Sequence, residues 1–169
     1  MRTYLPFLPR VVKHGGLPLH LIFYVTSQCN LRCEHCFYWQ NLNKKDKELS
    51  LEEIEKISSS MGPLLWLSLT GGEPFLRSDL GKIVKIFVKN NQVRHLSIPT
   101  NGYLTERIVS ETEKIVSQNP KTTFSISLSC DGPEKIHDLI RGKKGAFKRM
   151  VETAKELKSL KGRLRGLKG

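Results

Sequence analysis

Apolar residues along the chain recur with two periods. Residues 20–26, 64–70, 93–99 and 123–129 are short runs, apolar throughout or alternating, that read as β-strands. Between them the apolar spacing is helical. Leu51, Ile54 and Ile57 share one helix face, and Ser50 followed by Glu53 forms a capping box at its start. Ser78 is placed to cap a helix carrying Leu80, Ile83, Val84 and Phe87. Thr105 is placed to cap another carrying Ile108, Val109, Thr112 and Val116, which Asn119-Pro120 stops. Phe147, Met150, Val151, Ala154 and Leu157 mark a fourth. Strand-then-helix alternation predicts parallel strands joined by right-handed crossovers, hence an α/β fold. From the second strand onward the starts recur about every 30 residues, as strand-helix units do.

The last of these strands adds a constraint. Phe124, Ile126 and Leu128 alternate with Ser125, Ser127 and Ser129, so one face is apolar and the other hydroxylated. A sheet covered by helices on both faces would be apolar on both. The serine face therefore predicts a polar lumen, as in a curved, partly open barrel; an edge strand wetted on one side is the alternative. The chain divides into an N-terminal extension (1–19), a core (20–160) and a basic, glycine-rich tail (161–169).

A chain of 169 residues buries enough surface for one core. No segment approaches the roughly 20 apolar residues of a membrane helix, and the opening stretch, with Pro6 and Pro9, lacks the apolar run of a signal peptide. A soluble, cytoplasmic protein is expected. The formal net charge is +12, from 28 Lys and Arg against 16 Asp and Glu, which raises nucleic acid or an acidic partner as a ligand. The basic residues are nevertheless spread over helix faces, and the densest run, 155–168, reads as a solvated helix end.

Three of the four cysteines fall within eight residues, Cys29-Asn30-Leu31-Arg32-Cys33-Glu34-His35-Cys36. They follow the first strand directly, at the strand end where α/β folds collect ligands. Such spacing favours ligation over cross-linking. Zinc sites use two separated pairs or a downstream histidine pair, and neither is present. Three close thiolates suit three irons of a cubane, leaving the fourth iron open to a ligand. A zinc module closed by His35 is the alternative, disfavoured because His35 adjoins Cys36. At the end of the second strand stands Thr70-Gly71-Gly72-Glu73-Pro74, where glycine admits close backbone approach and Glu73 could hold a cationic amino group.

Cysteines spaced as Cys29, Cys33 and Cys36, followed by Gly71-Gly72-Glu73-Pro74, resemble the signature of the radical S-adenosylmethionine (SAM) enzymes. The resemblance implies a [4Fe–4S] cluster on the three cysteines, with its unique iron binding the amino and carboxylate groups of SAM. Gly71, Gly72, Glu73 and Pro74 would line the methionine end. Reductive cleavage would give a 5′-deoxyadenosyl radical that abstracts hydrogen from a substrate in a partial barrel, using electrons from a reductant such as flavodoxin or ferredoxin. The likeness continues through Pro99-Thr100-Asn101-Gly102, Ser127 to Pro133, His137 to Gly142 and Gly145-Ala146-Phe147. These segments resemble the branch that includes peptide-modifying, sulfatase-maturating and quinone or haem cofactor-making enzymes, many of which carry a cysteine-rich C-terminal extension. In that branch Ser129 and Arg141 match partners of SAM's ribose and carboxylate.

The family core has six strand-helix units, against four counted here. The expectation is therefore an incomplete barrel, catalytically weak or inactive alone, with a partner chain as one way to complete it. The substrate expected is a peptide or a small-molecule precursor, and RNA modification is the alternative that the charge supports. Cys130 is expected to be a buried structural thiol. His20, His95 and His137 are assigned no catalytic role, and Trp66 and Phe75 are read as packing residues.

Overall fold

The computed structural model describes Phe7 and residues 18–44, 48–164 and 166–168. The expected extension over 1–19 lies outside the described residues except at Phe7, Pro18 and Leu19. Five parallel strands form one sheet in sequential order: β1 (His20–Thr26), β2 (Trp66–Gly71), β3 (His95–Thr100), β4 (Thr123–Leu128) and β5 (Leu167–Lys168). The crossovers are α1 (Leu51–Ser59), α2 (Leu80–Asn91), α3 (Thr105–Gln118) and, between β4 and β5, the pair α4 (Glu134–Ile140) and α5 (Ala146–Arg163).

One sheet face is dry. Leu67, Leu69, Leu96, Ile98 and Phe124 are buried on it against Ile83, Phe87, Ile108, Val116 and Leu160 of the helices, as strand alternation requires. The other face is open, in agreement with the serine pattern. The pairings Ser68↔Ser97 and Ser97↔Ser125 lay three hydroxyls across it in one row. Ser68 Oγ lies 3.0 Å from Ser97 Oγ, and His20 Nε2 lies 3.1 Å from Ser68 Oγ. Trp66 belongs to this face. It is 42% exposed and stacks on His95 with ring centroids 5.1 Å apart, so the packing role expected of it is corrected: its position in β2 points it away from the core. Phe75, by contrast, is buried as expected.

Ser50 caps α1 in a complete capping box with Glu53, and α3 ends before Asn119-Pro120. Two expected caps are not formed. Asp79, not Ser78, precedes α2, and its carboxylate is taken up by Arg77 instead of the helix. Thr105 is already helical, and its Oγ1 lies 2.9 Å from Thr153 Oγ1 in the α3–α5 contact. At the C-terminal end α5 runs through Arg163, and Leu167–Lys168 pair with β4 as a fifth strand. Gly166, at φ +100°, makes the intervening turn and accepts Phe124 N–H at 2.7 Å.

Candidate active site

The strands' carboxyl ends converge on a cavity of about 240 Å3 whose lining includes Cys29, Cys33, Cys36, Gly71, Gly72, Ser129 and Arg141. It is the point in the fold where loops after β1, β2, β3 and β4 meet, which is where ligands bind in parallel sheets.

The cysteine loop is held by its own backbone and by neighbours on three sides. Asn43, with φ +58°, accepts Cys29 N–H on Oδ1 at 2.9 Å and donates from Nδ2 to the Cys29 carbonyl at 3.1 Å. Its own N–H reaches Ser27 O at 3.0 Å. Glu34 N–H donates to Ile140 O at 2.9 Å. On the β2 side, Gly72 N–H bonds Thr26 O at 2.9 Å and Glu73 N–H bonds Gln28 O at 2.8 Å. A Cβ on Gly72 would sit 2.3 Å from Gln28 O, so only glycine lets the two loops approach this closely. Arg77 anchors the outside, donating to Val25 O, Glu48 Oε2 and Leu49 O at 2.7–3.0 Å.

Glu73 and Pro74 stand behind the cavity wall. The Glu73 side chain is fully buried and accepts from Thr100 Oγ1 (2.8 Å), Asn101 N–H (2.8 Å) and Phe75 N–H (3.3 Å). Burial pushes its carboxyl above the ordinary range, against the pull of Asn101 N–H, Thr100, Phe75 N–H and the Arg141 charge. Both oxygens are thus spent on fixing the turn after β3, and Thr100 and Asn101, to which no role was assigned, line the cavity in consequence. Asn101 Nδ2 in turn donates to Asn30 Oδ1 at 2.8 Å, tying β3 to the cysteine loop.

Arg141, at the end of α4, reaches back over the loop. Its Nη1 donates to Cys33 Sγ at 3.5 Å, Nη2 donates to Asp131 Oδ1 at 3.1 Å, and Nε lies 2.6 Å from Asp131 Oδ2. His137 is buried, with Nδ1 accepting Asp131 N–H at 3.3 Å, and burial lowers its pKa. Burial likewise raises the Cys29 thiol; the Leu31 N–H opposes it, while the charges of Glu73, Cys33 and Cys36 add to it. Cys130 is exposed, which corrects the expectation of a buried thiol: it follows Ser129 past the end of β4, where the strand's alternation no longer turns it inward.

Among the described residues, no three His, Cys, Asp or Glu side chains gather in a way that could hold a metal ion. The three thiols instead share one cavity wall, as ligands to separate corners of a cubane would. The thiol donor set, the Arg141 cation at Cys33 and the glycine-lined opening all fit a cluster with a small charged cofactor beside it.

The Radical SAM superfamily profile matches residues 23–164. The chain belongs to the radical SAM superfamily. Members of this family bind a [4Fe–4S] cluster and SAM, and these are the cofactors for which the chain is built. The chain is 31% identical over 132 residues to a probable GTP 3′,8-cyclase of Methanococcus vannielii, covering 77% of this chain and 43% of the relative. It is 32% identical over 143 residues to the antilisterial bacteriocin subtilosin biosynthesis protein AlbA of Bacillus subtilis, covering 83% of this chain and 31% of AlbA. Among solved structures, native anSMEcpe with bound AdoMet and Cp18Cys peptide superposes with TM-score 0.61 at 27% identity, over 86% of this chain and 40% of that one. Streptococcus suis SuiB bound to S-adenosylmethionine superposes with TM-score 0.64 over 94% of this chain and 36% of that one; at 22% identity this likeness speaks to the fold. The chain spans less than half the length of each of these relatives, in keeping with a partial barrel.

Proposed function

We propose that this chain carries the cluster- and SAM-binding part of a radical SAM enzyme that starts hydrogen abstraction from a peptide or small-molecule precursor. The observation that carries the reading is the single cavity shared by Cys29, Cys33, Cys36, Gly71, Gly72, Ser129 and Arg141. Cys29, Cys33 and Cys36 would hold the cluster, Gly71 and Gly72 would present backbone to the methionine end of SAM, and Ser129 and Arg141, which line the same cavity, would bind its ribose and carboxylate. When bound, the cluster supplies one electron and SAM supplies the hydrogen-abstracting group. The protein's part is orientation and exclusion of water: Leu31, Phe37, Leu42 and Pro99 give the cavity apolar walls, and Glu73 keeps Thr100 and Asn101 in place beneath it.

A peptide substrate is supported by the likeness to the bacteriocin biosynthesis protein AlbA and to anSMEcpe, whose structure holds a bound Cp18Cys peptide. A small-molecule substrate is supported by those described as GTP 3′,8-cyclases. The open sheet face, on which Ile22 is 57% exposed with Tyr24 and Trp66 beside it, is the surface on which either would rest. A cytoplasmic site of action accords with four free cysteines, and no described helix is long and apolar enough to cross a membrane. A flavodoxin- or ferredoxin-like reductant would supply the electron.

The test is anaerobic reconstitution followed by iron and sulfide analysis, then dithionite and SAM with an assay for 5′-deoxyadenosine. About four irons and four sulfides per chain, lost when the three cysteines become alanine, are expected, since ligation requires those thiolates. Zinc without iron or sulfide would overturn the reading. Deoxyadenosine release at the rate of a complete family member would refute the further expectation that the chain is weak or inactive alone.

A further inference from the structure

We infer that Arg141, aimed by Asp131, is a positioning residue for the redox step: it donates to the sulfur of Cys33 and makes the cluster easier to reduce. The inference rests on the cluster reading above and adds a role distinct from contact with SAM.

Arg141 is 8% exposed, and its guanidinium is gripped rather than free. Asp131 Oδ1 accepts from Nη2 at 3.1 Å and its Oδ2 pairs electrostatically with Nε at 2.6 Å, which leaves Nη1 directed at Cys33 Sγ, 3.5 Å away. The segment that carries it is locked to the cysteine loop on both sides. Ile140 O accepts Glu34 N–H at 2.9 Å, and Gly142, at φ +63°, lies so close that a Cβ there would meet Arg32 O at 2.4 Å. Asp131 is itself fixed, its N–H bonded to the buried His137 ring. A guanidinium held only for packing would not need its orientation set from three elements.

The guanidinium is always protonated. One-electron reduction adds a negative charge to the cluster, and both a hydrogen bond to a ligand sulfur and a nearby positive charge favour the reduced state. Burial leaves that charge poorly screened. Of the five guanidinium N–H bonds, those at Nε, Nη2 and Nη1 each have a described neighbour, so two remain for an anionic ligand. Tuning and SAM contact are therefore compatible on one residue, and they separate experimentally because only the first exists without SAM.

The experiment is a dithionite titration of the reconstituted full chain without SAM, following the reduced cluster by electron paramagnetic resonance, for the native sequence, Arg141→Gln and Arg141→Lys. Arg141→Gln is expected to retain iron and sulfide but to shift the midpoint to more negative potential. Arg141→Lys, which keeps the charge but loses the fork, should shift it in the same direction by less. An Arg141→Gln cluster with an unmoved midpoint overturns the inference, whatever happens to SAM affinity. If Arg141→Gln does not load, Arg141→Lys decides in the same way. A native chain that takes up no cluster would instead sink the functional reading, so the two failures are distinguishable.

Discussion

Asn43 closes the cysteine loop by pairing its side-chain amide with both backbone polar groups of Cys29, at 2.9 and 3.1 Å. Two such bonds contribute on the order of 2 kcal/mol to keeping the loop shut, and the left-handed backbone at φ +58° suits asparagine. Asn43→Ala loses both contributions, whereas Asn43→Gly keeps the backbone freedom and loses only the clamp. Both variants should bind iron and release it to a chelator faster than the native chain, alanine more so than glycine. Equal release from all three would show that the clamp does not hold the loop.

Glu73 answers to a different test, because its carboxylate faces donors on both oxygens. Glutamine must turn an NH2 towards Asn101 N–H, or towards Thr100 and Phe75 N–H, leaving buried groups unpaired at a cost of about 1–3 kcal/mol. For a chain of this size that lowers the thermal midpoint by roughly 2–4 °C per kcal/mol. Glu73→Gln is therefore expected to melt earlier even without cofactor. An unchanged apo midpoint combined with weaker SAM binding would mean that Glu73 reaches the cofactor directly.

The parts of this molecule that were legible in the sequence are those where one physical requirement dominates. The alternation of Phe124, Ile126 and Leu128 with serines corresponds to the two-faced sheet, because burial acts on each position separately. Ser50 and Glu53 cap α1 because the capping box is local. Thr105 and Ser78 carry the same local preference, but other partners took precedence: the tertiary contact with Thr153 for Thr105, and the neighbouring Arg77–Asp79 pair at the start of α2. β5 is two residues long and exists through pairing with β4, so no periodicity announces it. The cysteine and glycine positions of the site were visible as motifs. The roles of Asn43, Arg77 and Asp131 were not, since each acts through contacts 10 to 52 residues away in sequence.

Two glycines of the chain should respond to alanine in opposite directions. Gly72 packs backbone to backbone, so its added Cβ meets Gln28 O at 2.3 Å and Cys29 Cβ at 3.0 Å. Either the loop after β2 or the cysteine loop must move, and Gly72→Ala should lower both the thermal midpoint and the iron retained per chain. Gly162 lies within α5 with nothing within 4 Å of its added Cβ, so Gly162→Ala should stabilise by about 0.5–1 kcal/mol. Denaturant midpoints of the two variants read both effects, and a Gly72→Ala chain as stable and as iron-rich as the native one would show that the close approach is dispensable.

Asp138 sets an acid limit on the join between α4 and α5. Its carboxylate accepts Gly145 N–H at 2.6 Å and Phe147 N–H at 2.8 Å at the start of α5. Those two N–H groups, in the order Phe147 then Gly145, hold its pKa below the ordinary aspartate value. A carboxyl with a lower pKa in the folded chain than in the unfolded one stabilises the fold above the unfolded pKa, and that contribution is lost as pH falls through the folded pKa. Asp138→Asn removes the charge while retaining an acceptor, so it should be less stable than the native chain at neutral pH. Between neutrality and strongly acid pH the gap should shrink, because the native chain loses what the variant never had. Urea midpoints of the two chains across that range measure the gap. A gap that stays constant would place the stabilisation in the shape of the hydrogen bonds rather than in the charge.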